Sequence, residues 1–121
     1  MSWSHDLARL TFAAMLLVPG AGWSPAAAAA DIAPCPARPE GGLKYLDVFD
    51  GAPEEMATLM EDKSGKNFGY FTLGHIYDEG RFVTIRCKYA DGFKTDVKLP
   101  DKVAGCKYTV GKDKALNLSC H

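Results

Sequence analysis

From Phe68 onward the chain alternates apolar and polar residues with period two, the pattern of half-buried strands. In 81–90, Val83, Ile85, Cys87 and Tyr89 alternate with Thr84, Arg86 and Lys88. In 93–99, Phe93, Val97 and Leu99 alternate with Lys94, Asp96 and Lys98. Ala90-Asp91-Gly92 between them reads as a three-residue hairpin loop whose last position wants a left-handed residue, which glycine supplies without steric penalty. That loop length pairs Tyr89 with Phe93 and Ile85 with Val97, so both apolar sets share one face. It also sets Lys88 against Lys94, an unfavourable pair that the register leaves unexplained. Asp78-Glu79-Gly80 reads as the same loop one hairpin earlier. It would place Leu73 opposite Ile85, Phe71 opposite Cys87 and His75 inward opposite Val83. A two-residue loop at either place would turn one apolar set outward. The pattern predicts a three-stranded meander.

A further hairpin is predicted at the end. Cys106, Tyr108 and Val110 alternate with Lys107 and Thr109, and Leu116, Leu118 and Cys120 alternate with Asn117 and Ser119. Pairing them through a Lys112-Asp113-Lys114 loop sets Val110 against Leu116 and Cys106 against Cys120. Directly opposed residues at a non-hydrogen-bonded site are roughly 4.5 Å apart between Cα atoms, within reach of a disulfide. Cys35 is then left for Cys87. Four cysteines allow three connectivities, and this one is preferred.

Earlier in the chain the pattern is less regular. Residues 31–42 hold Pro34, Pro36, Pro39, Gly41 and Gly42 without an apolar period, and read as an extended lead-in anchored by Cys35. Residues 43–49 are strand-like. Pro53 suits the first position of a short helix, with Glu54 and Glu55 in the turn where the helix dipole favours negative charge. Met56, Leu59 and Met60 would then share one helical face. Residues 61–67 read as a polar loop. The expected fold is mainly β, with α+β as the alternative. It is a small antiparallel meander sheet of about five to six strands with one short helix, stapled by two disulfides.

Composition adds the compartment. Residues 1–30 combine a polar start with Arg9, an apolar run from Leu10 to Val18, the break Pro19-Gly20, and Ala28-Ala29-Ala30 before Asp31. That is the layout of a secretory signal peptide, so the mature protein is expected to be periplasmic or secreted, from Asp31 to His121. All four cysteines lie beyond the cut, where thiols can oxidise. A chain of this length buries only about 60–65% of its unfolded surface, so covalent staples fit its need. The run at Leu10 is shorter than the roughly 17 to 25 residues of a membrane span, and no later segment qualifies. A soluble product without a membrane span is expected. Residues 31–80 carry ten acidic and four basic side chains, and residues 81–121 carry four acidic and nine basic. The near-zero sum argues against a nucleic-acid binder. The split either neutralises itself on packing or presents a dipolar surface to a charged partner.

No established catalytic spacing is present: no G-x-S-x-G, no H-E-x-x-H and no phosphate-cradling glycine loop. No C-x-x-C pair suggests zinc, so neither metal nor cofactor is expected. Asp47, Asp50, Glu54 and Glu55 could form a paired-carboxylate hydrolase site. The competing reading is structural, with Asp50 marking a turn before Gly51 and the glutamates starting a helix. Asn117-Leu118-Ser119 matches a glycosylation sequon, but it lies inside a predicted strand.

Several segments are similar in order and spacing to one another's counterparts in a known family. They are Cys35-Pro36, Val48-Phe49-Asp50-Gly51 with Pro53-Glu54-Glu55, Ala57 and Leu59. They continue through Cys87-Lys88-Tyr89-Ala90, Leu99-Pro100 with Val103 and Cys106, Tyr108, and Leu118-Ser119-Cys120. Together they resemble a family of small, secreted, cysteine-containing bacterial proteins of uncharacterised function. The chain departs from it at Glu61, where proline is usual, and at Phe71, where tryptophan is usual. The resemblance implies export and a cysteine framework, and brings no catalytic residues. The leading functional expectation is a non-enzymatic envelope protein that binds another envelope protein, as an inhibitor or immunity factor would. Asp50, Glu54 and Glu55 are the expected contact. A small hydrolase or sugar-binding enzyme using the acidic cluster, and a structural envelope component, are the alternatives.

Overall fold

The computed structural model describes residues 31–121, and the signal peptide expected over residues 1–30 lies outside the described residues. Among the described residues seven strands form two antiparallel sheets: β1 (Leu43–Asp50), β2 (Lys63–Gly65), β3 (Phe68–Thr72), β4 (Val83–Tyr89), β5 (Lys94–Leu99), β6 (Gly105–Val110) and β7 (Leu116–Cys120). One sheet has the order β1-β4-β5 and the other β2-β3-β6-β7. A five-residue helix, α1 (Gly74–Asp78), links β3 to β4.

Two of the three expected hairpins have the expected register. β4 pairs β5 with Ile85 opposite Val97 and Lys88 opposite Lys94, and Gly92 takes φ +89° in the loop. β6 pairs β7 with Val110 opposite Leu116 and Cys106 opposite Cys120. Inward residues of both sheets then meet in one core that includes Val48, Phe71, Val83, Ile85, Tyr89, Leu99 and Leu118. Both expected disulfides are formed, Cys35–Cys87 and Cys106–Cys120, and all of these sulfurs except that of Cys35 belong to fully buried residues.

The three-stranded meander is not the arrangement found. β3 pairs β6, with Phe71 opposite Cys106, while the second partner of β4 is β1, with Val48 opposite Ile85. The reason lies at Gly80. This residue is left-handed at φ +75°, but it ends α1 instead of turning a hairpin. Arg81 N donates to Ile76 O and Gly80 N donates to Tyr77 O, which is the hydrogen-bond pattern of a Schellman helix stop. A left-handed glycine satisfies either device. What selects the helix is the burial of Leu73 and Ile76, three apart and both wholly inaccessible to solvent. His75 consequently lies exposed on α1 and does not face Val83 from a strand.

Two further expectations change. The helix begun by Pro53 is one 3-10 turn, Pro53–Glu55, and it stops at Met56, which is left-handed. Residues 57–59 continue extended beside the free edge of β1, with Leu59 N donating to Val48 O and Asp50 N to Ala57 O. Leu59 therefore packs on the core while Met56 and Met60 point outward, so the three do not share a helical face. The polar stretch 61–67 contains β2, paired with β3 through the short connection at Lys66 and Asn67.

The lead-in is tied down at more points than Cys35. Ile32 and Cys120 exchange backbone hydrogen bonds of 2.8 Å, which covers the outer edge of β7. The Tyr89 hydroxyl donates to Pro36 O. The Arg38 guanidinium lies 3.7 Å from the centre of the Phe93 ring and 2.6 Å from the Asp91 carboxylate.

Candidate functional site

The acidic segment 50–55 folds around one cation. Asp50 ends β1, and Gly51 follows at φ +87°. A Cβ on Gly51 would lie 2.5 Å from Glu55 Oε2 and 2.6 Å from Arg81 Nη2, so glycine alone lets these groups close over the backbone. The Gly51 carbonyl accepts from the buried Thr84 hydroxyl at 2.8 Å, and Gly51 N donates to Phe82 O at 2.7 Å. Arg81 Nε donates to Asp50 Oδ1 at 2.6 Å and Arg81 Nη2 to Glu55 Oε2 at 2.5 Å. Arg81 also reaches Asp50 O at 3.3 Å. Hydrogen bonding to Asp50, then to Glu55, holds the Arg81 pKa above the ordinary arginine value. The arginine enters just after α1, so the Gly80 helix stop determines where this cation arrives.

The four carboxylates of the expected hydrolase cluster do not converge. Asp50 and Glu55 share Arg81, whereas Asp47 is paired with Lys88 at 2.7 Å. Glu54 is exposed and enters no ion pair among the described residues. What the arrangement provides mechanically is a clasp. Asp50 N to Ala57 O closes the ends of the turn, and Arg81 spans its middle.

The clasp presents a surface that the spacing of charges did not mark. Met56 is 83% exposed and Met60 is 86% exposed, the largest exposures among the big apolar residues described. Met56 also holds φ +58°, a conformation costly for a residue with a Cβ. Glu54 lies two residues away on the same turn. The only signal that could have located this surface was the run Met56-Ala57-Thr58-Leu59-Met60 itself. It reads equally well as a helix face or as alternation about an inward Leu59.

A second polar contact ties β6 to the segment that leads into β2. The Tyr108 hydroxyl donates to Glu61 Oε1 at 2.6 Å, beside a groove lined by Tyr45, Leu46, Val110 and Leu116. The carboxylate hydrogen bond, with burial second, pushes the Tyr108 phenol up to about 12. No group of three or more metal-ligating side chains occurs among the described residues, and no helix there is long and apolar enough to cross a membrane. Comparison with known proteins finds no matching family model, curated relative or solved structure.

Proposed function

We propose that the protein is an exported, non-enzymatic binding protein that docks on another envelope protein through the clasped turn and its two methionines. The observation that carries this reading is Met56, an apolar side chain 83% exposed on a left-handed backbone that Arg81 helps to hold. Strained backbone persists where surrounding structure over-determines it, and such places cluster at functional contacts. Methionine is enriched at interface cores, where its flexible thioether fills an irregular pocket. A segment already fixed loses little further entropy on docking, which is what an inhibitor or immunity-type protein requires. Glu54 would supply a rim charge, so the partner is an envelope protein with an apolar pocket edged by basic residues. Two disulfides and a pinned lead-in fit an oxidising compartment and a rigid scaffold.

The test compares two immobilised forms of the protein in envelope extract of the native host. The wild-type chain should retain a partner that the Met56→Ser/Met60→Ser double variant loses, with equal thermal stability of the two baits. Identical retention by both, or retention by neither, overturns the reading.

A further inference from the structure

The outward face of the four-stranded sheet carries a second surface, distinct from the clasped turn. Its rows run Gly65–Phe68–Thr109–Asn117, Lys63–Tyr70–Lys107–Ser119 and Thr72–Gly105–His121 across neighbouring strands. Both of its glycines, Gly65 and Gly105, are matched in shape to an aromatic neighbour. A Cβ on Gly65 would collide with the Phe68 ring, and a Cβ on Gly105 with the Tyr70 hydroxyl and ring. Each aromatic ring therefore lies across a glycine of the adjacent strand, spread along the sheet, with Phe68 39% exposed and Tyr70 half-buried. The run continues into His121, whose ring centre is 6.0 Å from that of Tyr70.

The charged side chains of these rows are all lysines. Lys63 and Lys107 occupy the strands on either side of Tyr70, and neither enters an ion pair among the described residues. Lys107 Nζ lies 5.6 Å from the centre of the Phe68 ring. The nearby carboxylates are engaged elsewhere: Glu61 with the Tyr108 hydroxyl, and Asp62 with the Thr72 backbone N at 2.6 Å. Lys63, Phe68, Tyr70 and Lys107 line an open groove of about 410 Å³.

We infer that this groove binds an acidic polysaccharide whose sugar rings carry carboxylates. The exposed parts of the Phe68 and Tyr70 rings suit the C–H face of a pyranose ring, and the two ammonium groups suit its carboxylates. Strands flanking β3 on both sides place the lysine backbones roughly 9–10 Å apart, so a ring stacked on Tyr70 has a cation on each side. Thr109 lies opposite Phe68 on β6, and Asn117 and Ser119 continue the same rows on β7, with hydroxyl and amide groups for the hydroxyls of further sugar units. A neutral glycan would leave both ammonium groups without partners. A nucleic acid would stack on the same rings, but two lysines leave a run of phosphates largely unpaired, whereas the hydroxyl and amide side chains of Thr109, Asn117 and Ser119 suit sugar hydroxyls. The inference is independent of the docking role of Met56 and Met60, which project from beside β1 in the other sheet.

Calorimetric titration of the disulfide-bonded protein with an oligogalacturonate tests it, with a cellulose oligomer of equal length and single-stranded poly(dT) as comparison probes. The acidic glycan should bind, more weakly as salt rises, and tighter than either comparison probe. Phe68→Ala should weaken it about tenfold, the loss typical of one stacking ring. Lys63→Gln/Lys107→Gln, two exposed changes that leave the core untouched, should weaken it and remove its salt dependence. Equal affinity for the cellulose oligomer, tighter binding of poly(dT), no binding of the oligogalacturonate, or unchanged affinity in the lysine double variant overturns the inference.

Discussion

The Lys88 ammonium lies 2.7 Å from the Asp47 carboxylate on β1, and this contact resolves the confrontation of Lys88 with Lys94 across the β4–β5 hairpin. The hairpin register alone leaves two like charges opposed. The third strand, on the other side of β4, supplies the counter-charge. Asp47→Asn should therefore destabilise the fold by about 0.5–1 kcal/mol, the range of a half-exposed pair plus the uncovered repulsion. Urea titrations at low and high salt check this. The difference from wild type should shrink as salt rises, because exposed charges are screened.

The two disulfides should contribute unequally. Cys35–Cys87 closes a separation of 52 residues and Cys106–Cys120 one of 14. On the chain-entropy model these are worth about 4 and about 3 kcal/mol respectively. Replacing the first pair with serines should lower the melting temperature more than replacing the second. It should also release the lead-in, read as faster proteolysis around Pro36 and Arg38. An equal or reversed order in thermal unfolding would contradict the assignment.

Legibility in the sequence tracked how many physical signals agreed at a position. At Gly92 and at the Cys106–Cys120 hairpin, alternation and loop length point to one register, and that register is found. At Gly80 the only local signal was a residue able to take positive φ, which serves a hairpin and a helix stop alike. The deciding fact is tertiary, the shared burial of Leu73 and Ile76. The pairing of β3 with β6 joins segments over thirty residues apart in the chain, and no local turn encodes it. At the candidate site, Asp50 and Glu55 could be picked out as a carboxylate group. Their partner Arg81 could not, because its position depends on where α1 ends. Met56 and Met60 were ambiguous for a similar reason: the backbone of 57–59 is set by the free edge of β1, not by its own propensity.

Alkaline pH should destabilise the protein through Tyr108. Its phenol is pushed up to about 12 by the Glu61 hydrogen bond and then by burial, while in the unfolded chain it titrates near 10. Between these values the unfolded state holds fewer protons than the folded one, so stability falls as pH rises. The contribution is complete below about pH 10 and is lost by about pH 12. Tyr77 and Tyr89, raised chiefly by burial, add to the same limb. Tyr108→Phe should therefore flatten the decline without abolishing it. Denaturant unfolding across this range measures the effect, and an unchanged slope in the variant would remove Glu61 as its cause.

Met56 should show opposed effects on stability and on binding. Its left-handed backbone, φ +58°, carries a penalty of about 1–2 kcal/mol for a residue with a Cβ. Glycine removes that penalty but restores freedom to the unfolded chain, at about 0.5–1 kcal/mol. Met56→Gly should then raise stability by up to about 1 kcal/mol, since the lost side chain is 83% exposed and packs on little. Met60→Gly, in an extended segment without that strain, should lower stability slightly. If the methionine surface is where the partner docks, Met56→Gly yields a more stable protein that binds less well, a trade seen where residues are retained for contact and not for folding. Paired unfolding curves and retention of the envelope partner give both quantities on one sample. A Met56→Gly protein that is less stable than wild type would mean that the left-handed turn is unstrained, and the structural basis for the docking role would go with it.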